Sequence, residues 1–122
     1  MNFDARCDAI EACYEFMLAY AAQGLANDAG SSSGAQIREY LRSAVAALQG
    51  IGEQCVSEGV DAGFVAVLVQ DAASSLAAVN LVLAQPAISS QLIDNLNASI
   101  HLRALLTDLF LIDETLKLKA LQ

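Results

Sequence analysis

The segment from Ser90 to Leu121 holds neither glycine nor proline and carries apolar residues on more than one side of a helix. At about 100° per residue, Ile93, Leu96, Ile100, Leu111 and Leu118 gather on one flank, and Leu102, Leu105, Leu109 and Leu116 on another. Asp94, His101 and Asp108 fall between them as a polar stripe. One apolar flank is enough to seat a helix on a core. A second flank needs a second cover, so the spacing predicts burial against a partner chain. Leu102, Leu105, Leu109 and Leu116 are the interface candidates.

Three further helices are expected. Phe3, Cys7, Ile10, Tyr14, Met17 and Ala21 recur at spacings of four and three, which predicts a helix from Asn2 to Gln23. Asp4, Asp8, Glu11 and Glu15 form an acidic face beside that stripe. Gly24 to Gly34 is polar and rich in turn formers, and reads as a flexible loop within a single domain spanning residues 1–122. Ile37, Leu41, Ala44, Leu48, Ile51 and Cys55 continue one rhythm across Gly50 and Gly52, predicting a bent or continuous helix from Ala35 to Glu58, with Gly59 as its stop. Asp61 is a candidate N-cap for a helix running to Ala84, which Pro86 ends. Gln70, Asp71, Ser74 and Ser75 mark the wet side of that helix. Ser89 or Ser90 caps the last. The expected architecture is all-α, an antiparallel up-down four-helix bundle whose long C-terminal helix contributes to a dimer interface.

Composition sharpens the argument. Hydrophobic residues make up 56% of the 122 residues and charged residues 16%, against about 45–50% and about 25% in ordinary domains. The surplus fills a large core, a subunit interface or a ligand cavity. The net charge is -8, and no Lys or Arg lies between Arg42 and Arg103. Nucleic acid and anionic lipid both demand clustered basic residues, so neither is an expected partner. The run from Phe64 to Ala84 is interrupted by Gln70, Asp71, Ser74, Ser75 and Asn80, which favours a buried helix over a membrane span. The first residues show no basic stretch followed by an apolar block, so no signal peptide is expected. Cys7, Cys13 and Cys55 form no CxxC pair and read as reduced thiols of a cytoplasmic protein.

Chemistry is sparsely encoded. Asp94, His101 and Asp108 are seven residues apart, about 10.5 Å per step along a helix, too far to share one ion directly. The acidic face offers helical spacing for a hard cation or a basic partner, but no Glu-x-x-His motif accompanies it. Three cysteines and one histidine admit a dyad only in principle. Tyr14, Phe16, Tyr20, Tyr40, Phe64 and Phe110 could wall a pocket, and Arg38 with Arg42 could grip an anion. No catalytic, metal or cofactor-binding residue is assigned. The expected function is a non-enzymatic, homodimeric interaction protein: an accessory, assembly or regulatory factor. The alternatives are a bundle holding an apolar ligand between its third and fourth helices, and a metal-dependent bundle enzyme.

Overall fold

A computed structural model describes every residue from Met1 to Gln122. It is all-α, with six helices packed together and no strand: α1 (Phe3–Ala21), α2 (Ser32–Leu48), α3 (Ile51–Ser57), α4 (Ala62–Leu83), α5 (Ser90–Asn97) and α6 (Ile100–Ala120). Six replaces the expected four because two long rods are broken, at Gln49–Gly50 and at Ala98–Ser99.

Each break has a local cause. Gly50 adopts a left-handed conformation, φ 79°, which ends α2 and turns the chain into α3. That region is nearly free of strain only for glycine. At the second break the Ser99 hydroxyl accepts from Leu102 N, restarting a helix where a continuous one was expected. The other caps follow the sequence. Asn2, Ser31, Asp61 and Ser89 each accept from a backbone N–H three residues on. Gly59 has φ 79° and closes the turn after α3.

The core is one cluster drawn from all six helices. It includes Ile10, Met17 and Tyr20 of α1, Ile37, Leu41 and Leu48 of α2, Ile51 and Cys55 of α3, Leu68 and Val79 of α4, Ile93 of α5, and Leu105, Leu109 and Ile112 of α6. Two arginines orient neighbouring rods. Arg6, near the start of α1, donates through Nη1 to the carbonyls of Ala47 and Gln49 at 2.9 and 2.6 Å. Arg38, near the start of α2, donates to Leu83 O and Gln85 O at 3.2 and 3.0 Å. Each satisfies carbonyls that a helix C-terminus leaves without an internal donor. Each also requires the two helices it joins to run antiparallel.

The segment expected to be a flexible loop is tied at both ends. Leu25 N donates to Ser90 Oγ, and Ser90 N donates to Leu25 O. Asp28 pairs with Arg38 at 2.5 Å and accepts from Ile88 N at 2.7 Å. A Cβ on Gly34 would overlap the Asp28 carbonyl, so only glycine admits this close passage. Deeper in, Tyr20 Oη donates to Ile88 O at 2.7 Å and Ser90 Oγ donates to Tyr20 O at 2.6 Å, binding the end of α1 to the start of α5.

Candidate functional site

The break at Ser99 resets the rotational phase of the last helix, and this corrects the expected interface. Leu102, Leu105 and Leu109 are buried within the single chain, and Leu116 is half-buried against the core. That flank is already covered. Ile93 and Leu96, grouped by sequence with the opposite flank, are buried in α5. The open flank belongs to Ile100, Leu111 and Leu118, exposed to 74%, 52% and 55%. These residues lie on one line of α6 with Ala104, Thr107 and Glu114, at spacings of four and three. Arg103 and Phe110 lie on the edge of this line and are both exposed.

Helix α4 flanks α6. The Ser75 hydroxyl donates to His101 O at 3.0 Å, and the turn before α4 meets Lys119 near the end of α6, so the two run antiparallel. The exposed side of α4 presents Ala62, Ala66, Val67, Gln70, Ala73, Ala77, Asn80 and Leu81, with no charge among them. By composition α4 is long and apolar enough to cross a membrane, with a mean hydropathy of 1.6 over a stretch of which 33% is buried. Between the start of α4 and the end of α6 lies an open groove of about 370 Å³, walled by Phe64, Leu111, Ile112 and Leu116 with Asp61 and Lys119 at its rim. An apolar void between α1, α2, α4 and α6 is only about 10 Å³, about the space of one water molecule.

The polar stripe does not survive as a unit. Asp94 stands exposed on α5, and His101 is exposed on α6. Asp108 is buried, 5% exposed, instead of lying in water. It meets Asp71 of α4 across the seam between the helices. Burial, then the hydrogen bond and charge of Asp71, push the Asp108 carboxyl up to about 7. Its Oδ2 has no donor within reach. An ionised carboxylate only accepts, so Asp108 and Asp71 can hydrogen-bond each other only when one of the two carboxyls carries a proton. The wet side read onto α4 is corrected with it: Ser75 is fully buried and Asp71 half-buried.

The remaining candidates are dispersed. Asp4, Asp8 and Glu15 are exposed and Glu11 half-buried, and no group of three His, Cys, Asp or Glu is arranged to hold a metal ion. Burial pushes the thiols of Cys7 and Cys13 up to about 12 and that of Cys55 to about 11. A nucleophilic cysteine needs the opposite shift. Phe16 and Tyr40 stack at 4.5 Å between α1 and α2, Tyr20 is buried, and Phe110 faces solvent, so the aromatics wall no common pocket. Arg38 caps α4 instead of gripping an anion with Arg42, which is exposed.

Sequence reasoning missed Asp71 as the partner of Asp108. The available signal was its isolation: it is the only charged residue between Ala62 and Leu83. No protein-family model, curated protein or solved structure matches this chain.

Proposed function

We propose that the protein is a non-enzymatic interaction module that pairs with a second copy of itself through the outer flank of α6, with α4 alongside. The observation that carries this reading is the line Ile100, Ala104, Thr107, Leu111, Glu114, Leu118 on the solvent side of α6. Its alternation of four and three is the knob spacing of a two-stranded helical seam. It spans about 27 Å at 1.5 Å per residue.

The line is self-complementary when two copies cross antiparallel at the level of Leu109. Ile100 of one copy then stands opposite Leu118 of the other, Ala104 opposite Glu114, and Thr107 opposite Leu111. A two-fold axis repeats each pair, as an isologous interface requires. Arg103 falls within one residue of Glu114 across that axis and on the same edge. Neither forms an ion pair within its own chain. Charge supports the same face: with a net charge of -8, two copies repel, and the outer face of α4 is one surface with no acid exposed. This replaces the flank of Leu102, Leu105 and Leu109 with the one opposite it. The three free cysteines are compatible with the cytoplasm, the location this reading takes for the module.

Sedimentation of the wild type and a Leu111→Glu, Leu118→Glu variant tests the reading. The expected result is a dimer for the wild type at micromolar concentration and a monomer of unchanged helicity for the variant. A wild-type monomer, or a variant dimer, defeats it. Capture of the wild type by lipid vesicles through α4 would also count against pairing as the use of this face.

A second reading rests on the groove between α4 and α6, which retains the alternative of an apolar ligand held there. At about 370 Å³ it falls within the range of about 300–1,000 Å³ common for small-molecule sites. A native mass spectrum with co-purified ligand, and its loss in Phe64→Ala, would support it.

A further inference from the structure

We propose that Asp71 and Asp108 form a proton-controlled latch between α4 and α6: the two carboxyls share one proton across the seam, and its loss loosens the contact of the two helices. The proposal goes beyond self-association and does not depend on it.

Two geometric facts carry it. Asp108 is buried with one carboxyl oxygen lacking any donor, and antiparallel α4, held to α6 by the Ser75–His101 hydrogen bond, brings a second carboxyl, Asp71, to it. No cation pairs with either carboxyl: the ion pairs of the molecule are Arg38–Asp28 and Lys117–Asp113. Two ionised carboxylates that meet across a buried seam repel each other in a medium that screens them poorly. One proton converts the repulsion into a short, charge-assisted O–H···O⁻ hydrogen bond. The seam therefore has two electrostatic states, attractive with the proton and repulsive without it.

The other charged groups do not interfere. α6 itself carries His101, Arg103, Asp113, Glu114, Lys117 and Lys119. The elements packed beside the seam carry Asp4, Arg6, Cys7, Asp8, Glu11, Cys13, Tyr14, Glu15 and Tyr20 on α1, Arg38, Glu39, Tyr40 and Arg42 on α2, Glu53 and Cys55 on α3, and Asp94 on α5. None of them acts on Asp108, which feels Asp71 alone. A bridging cation is disfavoured because no third acidic, histidine or cysteine ligand joins the pair. The transition of Asp108 at about 7 places the change in the neutral range.

Hydrogen exchange of the full chain, compared at about pH 5 and about pH 9, tests the latch. Protection of the Val67–Ser75 and His101–Ile112 amides, measured relative to α1 and α2 in the same sample, should fall about tenfold or more as the proton leaves. Asp108→Asn keeps a permanent donor toward Asp71 and should abolish the difference. Should that variant fail to fold, Asp71→Asn makes the same test from the other side. His101→Gln should retain the difference, because the histidine is outside the latch. Equal relative protection at both pH values in the wild type overturns the proposal. So does an unchanged difference in the asparagine variants, or its disappearance in His101→Gln.

Discussion

Arg38 and Asp28 form the hinge pin of this fold. The guanidinium of Arg38 holds Asp28 at 2.5 Å and also donates to the carbonyls of Leu83 and Gln85. Asp28 in turn accepts from Ile88 N. One ion pair thus joins the first loop, the start of α2, the end of α4 and the turn before α5. Both side chains are largely shielded, with 20% and 10% of their surface exposed, so the pair is not an ordinary surface salt bridge.

Removing that carboxylate should cost stability. Asp28→Ala leaves Ile88 N and the Arg38 fork without their acceptor. The expected loss is roughly 1–3 kcal/mol, the range for leaving a buried donor without its acceptor. Urea unfolding of the two proteins measures it.

Stability should fall at both ends of the pH range, for opposite reasons. The Arg38 hydrogen bond holds Asp28 below the usual carboxylate range. Its contribution is present above the ordinary carboxyl value and disappears as pH falls through the lowered one. Asp108 is raised to about 7. Its protonated form is favoured on folding, so its contribution is full below the ordinary carboxyl value and is lost as pH climbs toward about 7. A maximum in mild acid follows. Thermal unfolding across pH checks it, and Asp108→Asn should remove the decline between the ordinary carboxyl value and about 7 while leaving the acid limb, and the alkaline loss set by the raised thiols, in place.

Gly50→Ala should destabilise by about 1–2 kcal/mol, the cost of placing a side chain in the left-handed region. Gly52→Ala acts differently. It sits inside α3, where alanine is otherwise preferred, yet its Cβ would come within 2.6 Å of Val69 Cγ2. The expected result is a loss for Gly52→Ala that Val69→Ala relieves. A double-mutant cycle on chemical denaturation separates the two cases.

Much of the fold was legible from apolar rhythm, and the parts that were not share one cause. Ile37, Leu41, Ala44, Leu48, Ile51 and Cys55 are all buried, as their spacing requires, although the chain breaks between Leu48 and Ile51. Periodicity records which residues face the core and does not record whether the backbone between them is continuous. The same lapse at Ser99 had a larger effect. Treating Ser90–Leu121 as one helix carried the phase of Ile93 and Leu96 into Ile100 and Leu111, when the break separates them. The flanks of α6 were therefore recognised as two, and the wrong one was assigned to the outside. Asp108 was read as wet because it is charged. Its burial depends on Asp71, which stands 37 positions earlier in the chain on another helix, a pairing that no local pattern encodes.

Reversal of one charge pair tests the two-fold seam most directly. Arg103→Glu and Glu114→Arg should each weaken the proposed dimer in sedimentation equilibrium, and the double variant should restore it, because the proposed antiparallel register sets these two residues against each other across copies. Dimerisation that ignores both single changes, or a double variant no stronger than either, contradicts the account.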